Sequence, residues 1–111
     1  MMNDVISLVT VLKKTKDADG FDIEENVKNL EVFAEIQSVK RDEYYKAVAA
    51  GVKVDMVVVV NEDDYNQNIV LEDGKKKSPS KVIIENVPYR IYRSYRKPEK
   101  RTYELTLQEV E

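Results

Sequence analysis

The sequence predicts a small, mainly antiparallel β-barrel or sandwich of about six to seven strands, with one short α-helix near residues 40–50 and long loops. Apolar residues recur mostly with period two, the mark of strands that bury one face. The valine-rich run Met56-Val57-Val58-Val59-Val60 reads as a strand covered on both faces. A single stretch changes to three- and four-residue spacing, and that marks the helix. The 111 residues suit one domain over 1–111, because a chain of this size buries roughly two thirds of its unfolded surface around one core.

Taken in order, residues 5–13 form the first strand. Ile6, Leu8 and Leu12 lie on one side and Val5, Val9 and Val11 on the other, so this strand is either buried on both faces or in contact with a partner. Residues 15–26 carry Asp17, Asp19, Gly20 and Asp22; an Asp-Gly pair tolerates positive φ, which predicts a hairpin or a long polar loop. Over 30–37, Leu30, Val32, Ala34 and Ile36 alternate with Glu31, Glu35 and Gln37, with Phe33 the exception, as expected of a half-solvated strand.

The helix spans 39–50, where Tyr44, Ala47, Val48 and Gly51 recur at helical spacing. Ser38 is its expected N-cap, Asp42 and Glu43 favour the positive end of the dipole, and Gly51 supplies a left-handed terminus. Tyr44 and Val48 are assigned to the core. Residues 52–61 then form a central strand, and 66–72, 81–86, 89–96 and 102–110 complete the set. The linker 73–80, with Gly74, three lysines and Pro79, is expected to be an exposed loop.

Composition removes much familiar chemistry. With no Cys and no His there is no zinc finger, no Cys/His or Ser/His/Asp relay and no disulfide framework. The longest unbroken apolar run, five residues, is far below the ~20 needed to cross a bilayer, and the N-terminus has the charge order of a signal peptide reversed, so the expectation is a soluble cytoplasmic protein without a membrane span. Neither Asp17, Asp19 and Asp22 nor Asp64, Asn66 and Asn68 places Gly and Glu where an EF-hand needs them, so no metal is expected. The paired carboxylates Glu24–Glu25, Asp42–Glu43 and Asp63–Asp64 are adjacent, without partners across a cleft, and no glycine-rich phosphate loop exists. Neither an enzyme nor a cofactor is expected.

The net charge of −3 conceals a strong asymmetry. Residues 17–73 contain 15 acidic and 5 basic side chains, whereas residues 75–101 contain 10 basic and 2 acidic ones. Such blocks pair within the domain or between copies meeting head to tail, and the sequence leaves both open. Within 89–103, Arg90, Arg93, Arg96, Lys97, Lys100 and Arg101 interleave with Tyr89, Tyr92, Tyr95 and Tyr103. Cations and aromatics on one barrel strand are how single-strand binders meet phosphates and stack bases, so an OB-like single-stranded nucleic-acid module is one reading. The other is a solvated hairpin with half the tyrosines in the core.

The order of motifs carries a further signal. Val32-Phe33-Ala34-Glu35-Ile36, then Tyr44-Tyr45-Lys46-Ala47, the valine-rich strand, Tyr65, Val87-Pro88-Tyr89-Arg90-Ile91 and Tyr103-Glu104-Leu105-Thr106-Leu107 together resemble the head-closure (stopper) proteins of tailed bacteriophages and prophages, also called head-tail joining or head-tail adaptor proteins. The resemblance runs over roughly residues 5–110, with Phe33 where the family often has Trp. It implies a virion structural protein at the head-tail junction, made in the bacterial cytoplasm: a ring of copies, typically six, between portal or adaptor proteins and the tail-terminator or tail-tube proteins. It also implies that Lys40, Arg41, Asp42, Glu43 and Tyr45 face the channel and its packaged double-stranded DNA without reading sequence. A basic set, Arg90, Arg93, Arg96, Lys75, Lys76 and Lys77, is expected at the contact with another copy or partner.

Overall fold

A computed structural model describes residues 2–16, 20 and 22–110, and the side chains of these apart from 13–16 and 22–26. The strands are β1 (Asp4–Lys16), β2 (Asp22–Gln37), β3 (Val54–Asn61), β4 (Val70–Glu72), β5 (Lys75–Lys77), β6 (Lys81–Ile84), β7 (Val87–Lys97) and β8 (Thr102–Glu109), and the helices are α1 (Arg41–Ala49) and α2 (Glu62–Gln67). Six strands close into an antiparallel barrel in the order β1-β2-β3-β8-β7-β6, and β4 and β5 form a separate two-stranded sheet.

Alternation builds the core as the sequence implies. Ile6, Leu8, Val32, Ala34, Val58, Val60, Val82, Leu105 and Leu107 point inward and are buried. Each such side chain taken from water contributes on the order of 1.5–3 kcal/mol for the larger residues. β3 is central, between β2 and β8. Its outward Val57 and Val59 are buried too, because α1 packs on this strand and Glu43 reaches over Val57. Helix α1 ends as expected: Gly51 lies at φ +77°, and the amides of Gly51 and Val52 donate to the carbonyls of Val48 and Ala47, a Schellman closure.

Several expectations need correction. The N-cap of α1 is Lys40, not Ser38, and no side chain caps it. Tyr44 and Val48 are exposed rather than core, leaving Ala47 as the one buried residue of α1. The strand expected over 66–72 is helix α2 followed by β4, because Glu62, Asp63 and Asp64 cluster in a first turn, where the helix dipole favours anions. The linker 73–80 contains β5, paired to β4 through a two-residue turn whose Asp73 and Gly74 both have positive φ, the geometry that suits a tight hairpin. β2 starts eight residues before residue 30, and its pairing with β1 continues, through register shifts between Val11 and Lys14, as far as Lys16 opposite Asp22. Asp17 and Asp19 lie outside the described residues.

Helix α2 is the internal stopper of the barrel. Tyr65 is buried and stacks on Tyr103 with ring centroids 3.9 Å apart, and its hydroxyl donates to Ser94 Oγ at 3.4 Å. After the helix, Asn68 donates from Nδ2 to the Leu8 carbonyl at 2.9 Å and accepts at its own carbonyl from Thr10 Oγ1 at 2.6 Å. Lys28 Nζ donates to the Gln67 carbonyl. The helix is thereby tied to β1, β2, β7 and β8 across one mouth.

Leu105→Ala is expected to cost about 2–5 kcal/mol in urea unfolding, since Leu105 is wholly buried. Leu71→Ala, at a residue 71% exposed, is expected to stay within about 0.5 kcal/mol.

Candidate functional site

Strand β7 carries half of the predicted basic set, Arg90, Arg93 and Arg96, and a bulge decides which way each side chain points. Tyr89 and Ile91 face inward against the core. The register then slips at Tyr92, so that Ile91 sits opposite Leu107 but Arg93 sits opposite Thr106. Beyond the bulge, Ser94 and Arg96 share the inner face with Leu105 and Tyr103, whereas Arg93, Tyr95 and Lys97 share the outer face with Thr106, Glu104 and Thr102. Simple alternation along 89–97 would put Arg90 and Arg96 together and Arg93 opposite them. The structure instead keeps Arg90 and Arg93 outside and sends Arg96 to the barrel mouth.

At that mouth Arg96 Nε donates to Glu62 Oε1 at 2.5 Å, with Glu62 only 17% exposed. Arg96 is therefore already engaged by α2. Arg93 is exposed, with its guanidinium 6.0 Å from the Tyr92 ring centroid, and Lys97 Nζ lies 4.7 Å from that of Tyr95. Half of the four tyrosines of 89–103 are thus core-packed, Tyr89 and Tyr103, while Tyr92 and Tyr95 are exposed.

The expected channel-facing residues lie on the outer wall of β3. Lys40, Arg41 and Asp42 are exposed at the start of α1. Tyr45 is 62% exposed and meets Tyr44 edge to face at 5.9 Å between centroids. Glu43 differs from its neighbours: half-buried, it accepts a hydrogen bond from Thr106 Oγ1 and so pins α1 to β8. The fold brings one member of each predicted set together, because Glu43 and Arg93 line a common open groove of about 200 Å³ with Val57, Tyr95, Lys97, Glu104 and Thr106. Arg90 borders a neighbouring groove of about 340 Å³ formed with residues 51–53 and the end of β8, where Lys53 Nζ lies 3.8 Å from Glu109 Oε2. Lys75, Lys76 and Lys77 stand apart on β5, whose sheet packs beside β1.

Both grooves are open. Among the described residues no group of three or more acidic side chains converges to hold a metal ion, and no described helix is long and apolar enough to cross a membrane.

Sequence reasoning missed two features. Val5 and Phe33 form a cross-strand pair on the outside of the barrel, 54% and 60% exposed; the break in alternation at Phe33 was the available signal. Leu71, on a strand of three residues, is the most exposed large apolar side chain among the described residues.

These surfaces and the closed barrel define a small all-antiparallel scaffold that presents outer walls and strand edges for contact. No protein-family model matches the chain, and no curated protein matches it. Among solved structures it is similar to the solution structure of protein SF1141 from Shigella flexneri 2a, at 14% identity and a TM-score of 0.53, over 97% of this chain and 92% of that one. The likeness is one of fold.

The Arg96–Glu62 contact leads to a specific expectation. A double-mutant cycle of Arg96→Ala and Glu62→Gln in urea unfolding should give a coupling of about 0.5–1 kcal/mol that shrinks in high salt. Arg93→Ala should leave stability within about 0.5 kcal/mol.

Proposed function

We propose that the chain is a ring-forming connector of a tailed-phage or prophage particle, placed between portal or adaptor proteins and the tail, where it closes the DNA channel and offers a docking surface. The observation that carries this reading is the state of α1. Nine residues long, it has Ala47 as its one buried residue and Glu43 bonded to Thr106, and leaves Tyr44, Tyr45 and Val48 in solvent. An aromatic and aliphatic helix face of this kind fits contact with other chains better than it fits a solitary domain. A second apolar patch, Val5 and Phe33, lies on the outer face of β1 and β2, so the two patches differ, and different patches meeting head to tail make rings when the rotation closes.

The work of such a protein is mechanical and electrostatic. Lys40 and Arg41, repeated in every copy of a ring, give a circle of cations able to hold DNA phosphates whatever the sequence. Glu43 is committed to Thr106 and fixes the helix that presents them.

Mixing the protein with a phage portal and adaptor complex from the same source should add ring-sized mass in native mass spectrometry and density in negative-stain images; a protein that stays at the monomer peak overturns the proposal. In particles, Lys40→Glu with Arg41→Glu should lower the yield of DNA-filled heads by roughly tenfold while empty heads still form.

A second reading rests on the outer face of β7. Tyr92 and Tyr95 stand exposed among Arg90, Arg93 and Lys97, the arrangement by which single-stranded nucleic acid is stacked and neutralised. Under it, labelled oligonucleotide binds at low salt and Tyr95→Ala weakens binding by about tenfold. Binding that survives Arg90→Glu with Arg93→Glu excludes it.

A further inference from the structure

Two strands end with unfilled edges. β2 is paired to β1 along its whole length, but on its other side β3 covers only Ala34–Gln37, so among the described residues the far edge of 27–33 carries no strand. Among the described residues β5 pairs with β4 and with no other strand, so its remaining edge is open too. An unpaired edge is a template for another strand.

We infer that β5 of one copy adds to the far edge of β2 in the next, joining neighbouring barrels head to tail; this deepens the ring reading above and rests on it. Charge favours the pairing. Along the open edge 27–33 the charged residues of β2 are Glu31 and Lys28, with Glu31 on the outward face beside Asn29, while β5 is Lys75-Lys76-Lys77. Lys28 is itself turned to the Gln67 carbonyl.

Like edges would not meet as well: two copies of β5 oppose six lysines, and a second β2 edge offers Glu31 another carboxylate in place of the three lysines of β5. Apolar surface agrees with charge. Leu71 shares a face with Lys76 in the small sheet, and Val27 and Phe33 stand exposed on β2, so the added strand covers side chains that the single barrel leaves in water. A three-residue strand makes few hydrogen bonds, so the contact is weak between two free copies and gains strength from repetition around a ring.

The absence of cysteine makes the test direct. Lys76→Cys and Asn29→Cys, both at exposed positions, are purified separately, mixed at low salt and treated with a short bismaleimide. The mixed product is expected to exceed either homodimer, and to fall by roughly tenfold when the Asn29→Cys partner meets a Lys76→Cys chain that also carries Lys75→Glu and Lys77→Glu. Glu31→Lys in the Asn29→Cys chain should restore part of that loss.

Dominance of the Asn29→Cys homodimer would mean that β2 edges pair with one another, and a mixed yield no higher than that from Asp63→Cys, an exposed control at the other end of the chain's surface chemistry, would mean no contact; either result overturns the inference. Cross-linking needs only two copies of this chain. A ring that assembles on portal without the mixed product removes the strand addition alone, and the mixed product without portal binding removes the connector reading alone.

Discussion

Closure of the barrel depends on a short seam. β1 meets β6 through only three pairs, Ser7 with Ile83, Leu8 with Val82 and Val9 with Lys81, extended by the Ser80 amide donating to the Val9 carbonyl at 2.9 Å. The two inward members, Leu8 and Val82, are wholly buried. Through this seam the first strand of the chain meets a strand more than 70 residues away, and without it the sheet would end in two open edges, β1 and β6. Leu8 also supplies the carbonyl that receives Asn68, so the seam and the α2 stopper share a residue. Their energies are coupled through it, and neither is independent of the other.

The stopper organises the site in turn. Because Glu62 begins α2 and faces Arg96, the cation at the end of β7 is spent on holding the mouth. Arg90, Arg93 and Lys97 are left to the outer wall, beside the helix carrying Lys40 and Arg41. A single extra residue at Tyr92 makes that division. Elsewhere in the barrel β2 outruns β3, and among the described residues its edge over 27–33 has no strand partner on that side.

Legibility in the sequence followed the range of the forces involved. The period-two strands and the doubly buried valine strand were readable because alternation and burial act within a few residues of one another. So was the end of α1, because Gly51 answers a local need for positive φ. Helix α2 was not readable, since six residues are too few to show a period and the Asn68 anchor lies about 60 positions away from Leu8 in the chain. Tyr44 and Val48 carry the spacing of a core helix, yet they are exposed, because spacing says which residues share a face and not what the face meets.

Taken by itself, the amino-acid order determined a small antiparallel barrel or sandwich, a helix after the second strand and a polarised charge distribution, all of which arise from local pattern and composition. Only the tertiary structure decided which charges are free. Arg93 and Arg96 look alike in sequence, but a bulge shifts the pleat by one residue, and one arginine faces water while the other is held by Glu62. Register is a property of two strands together, and its consequences appear only when both are in place.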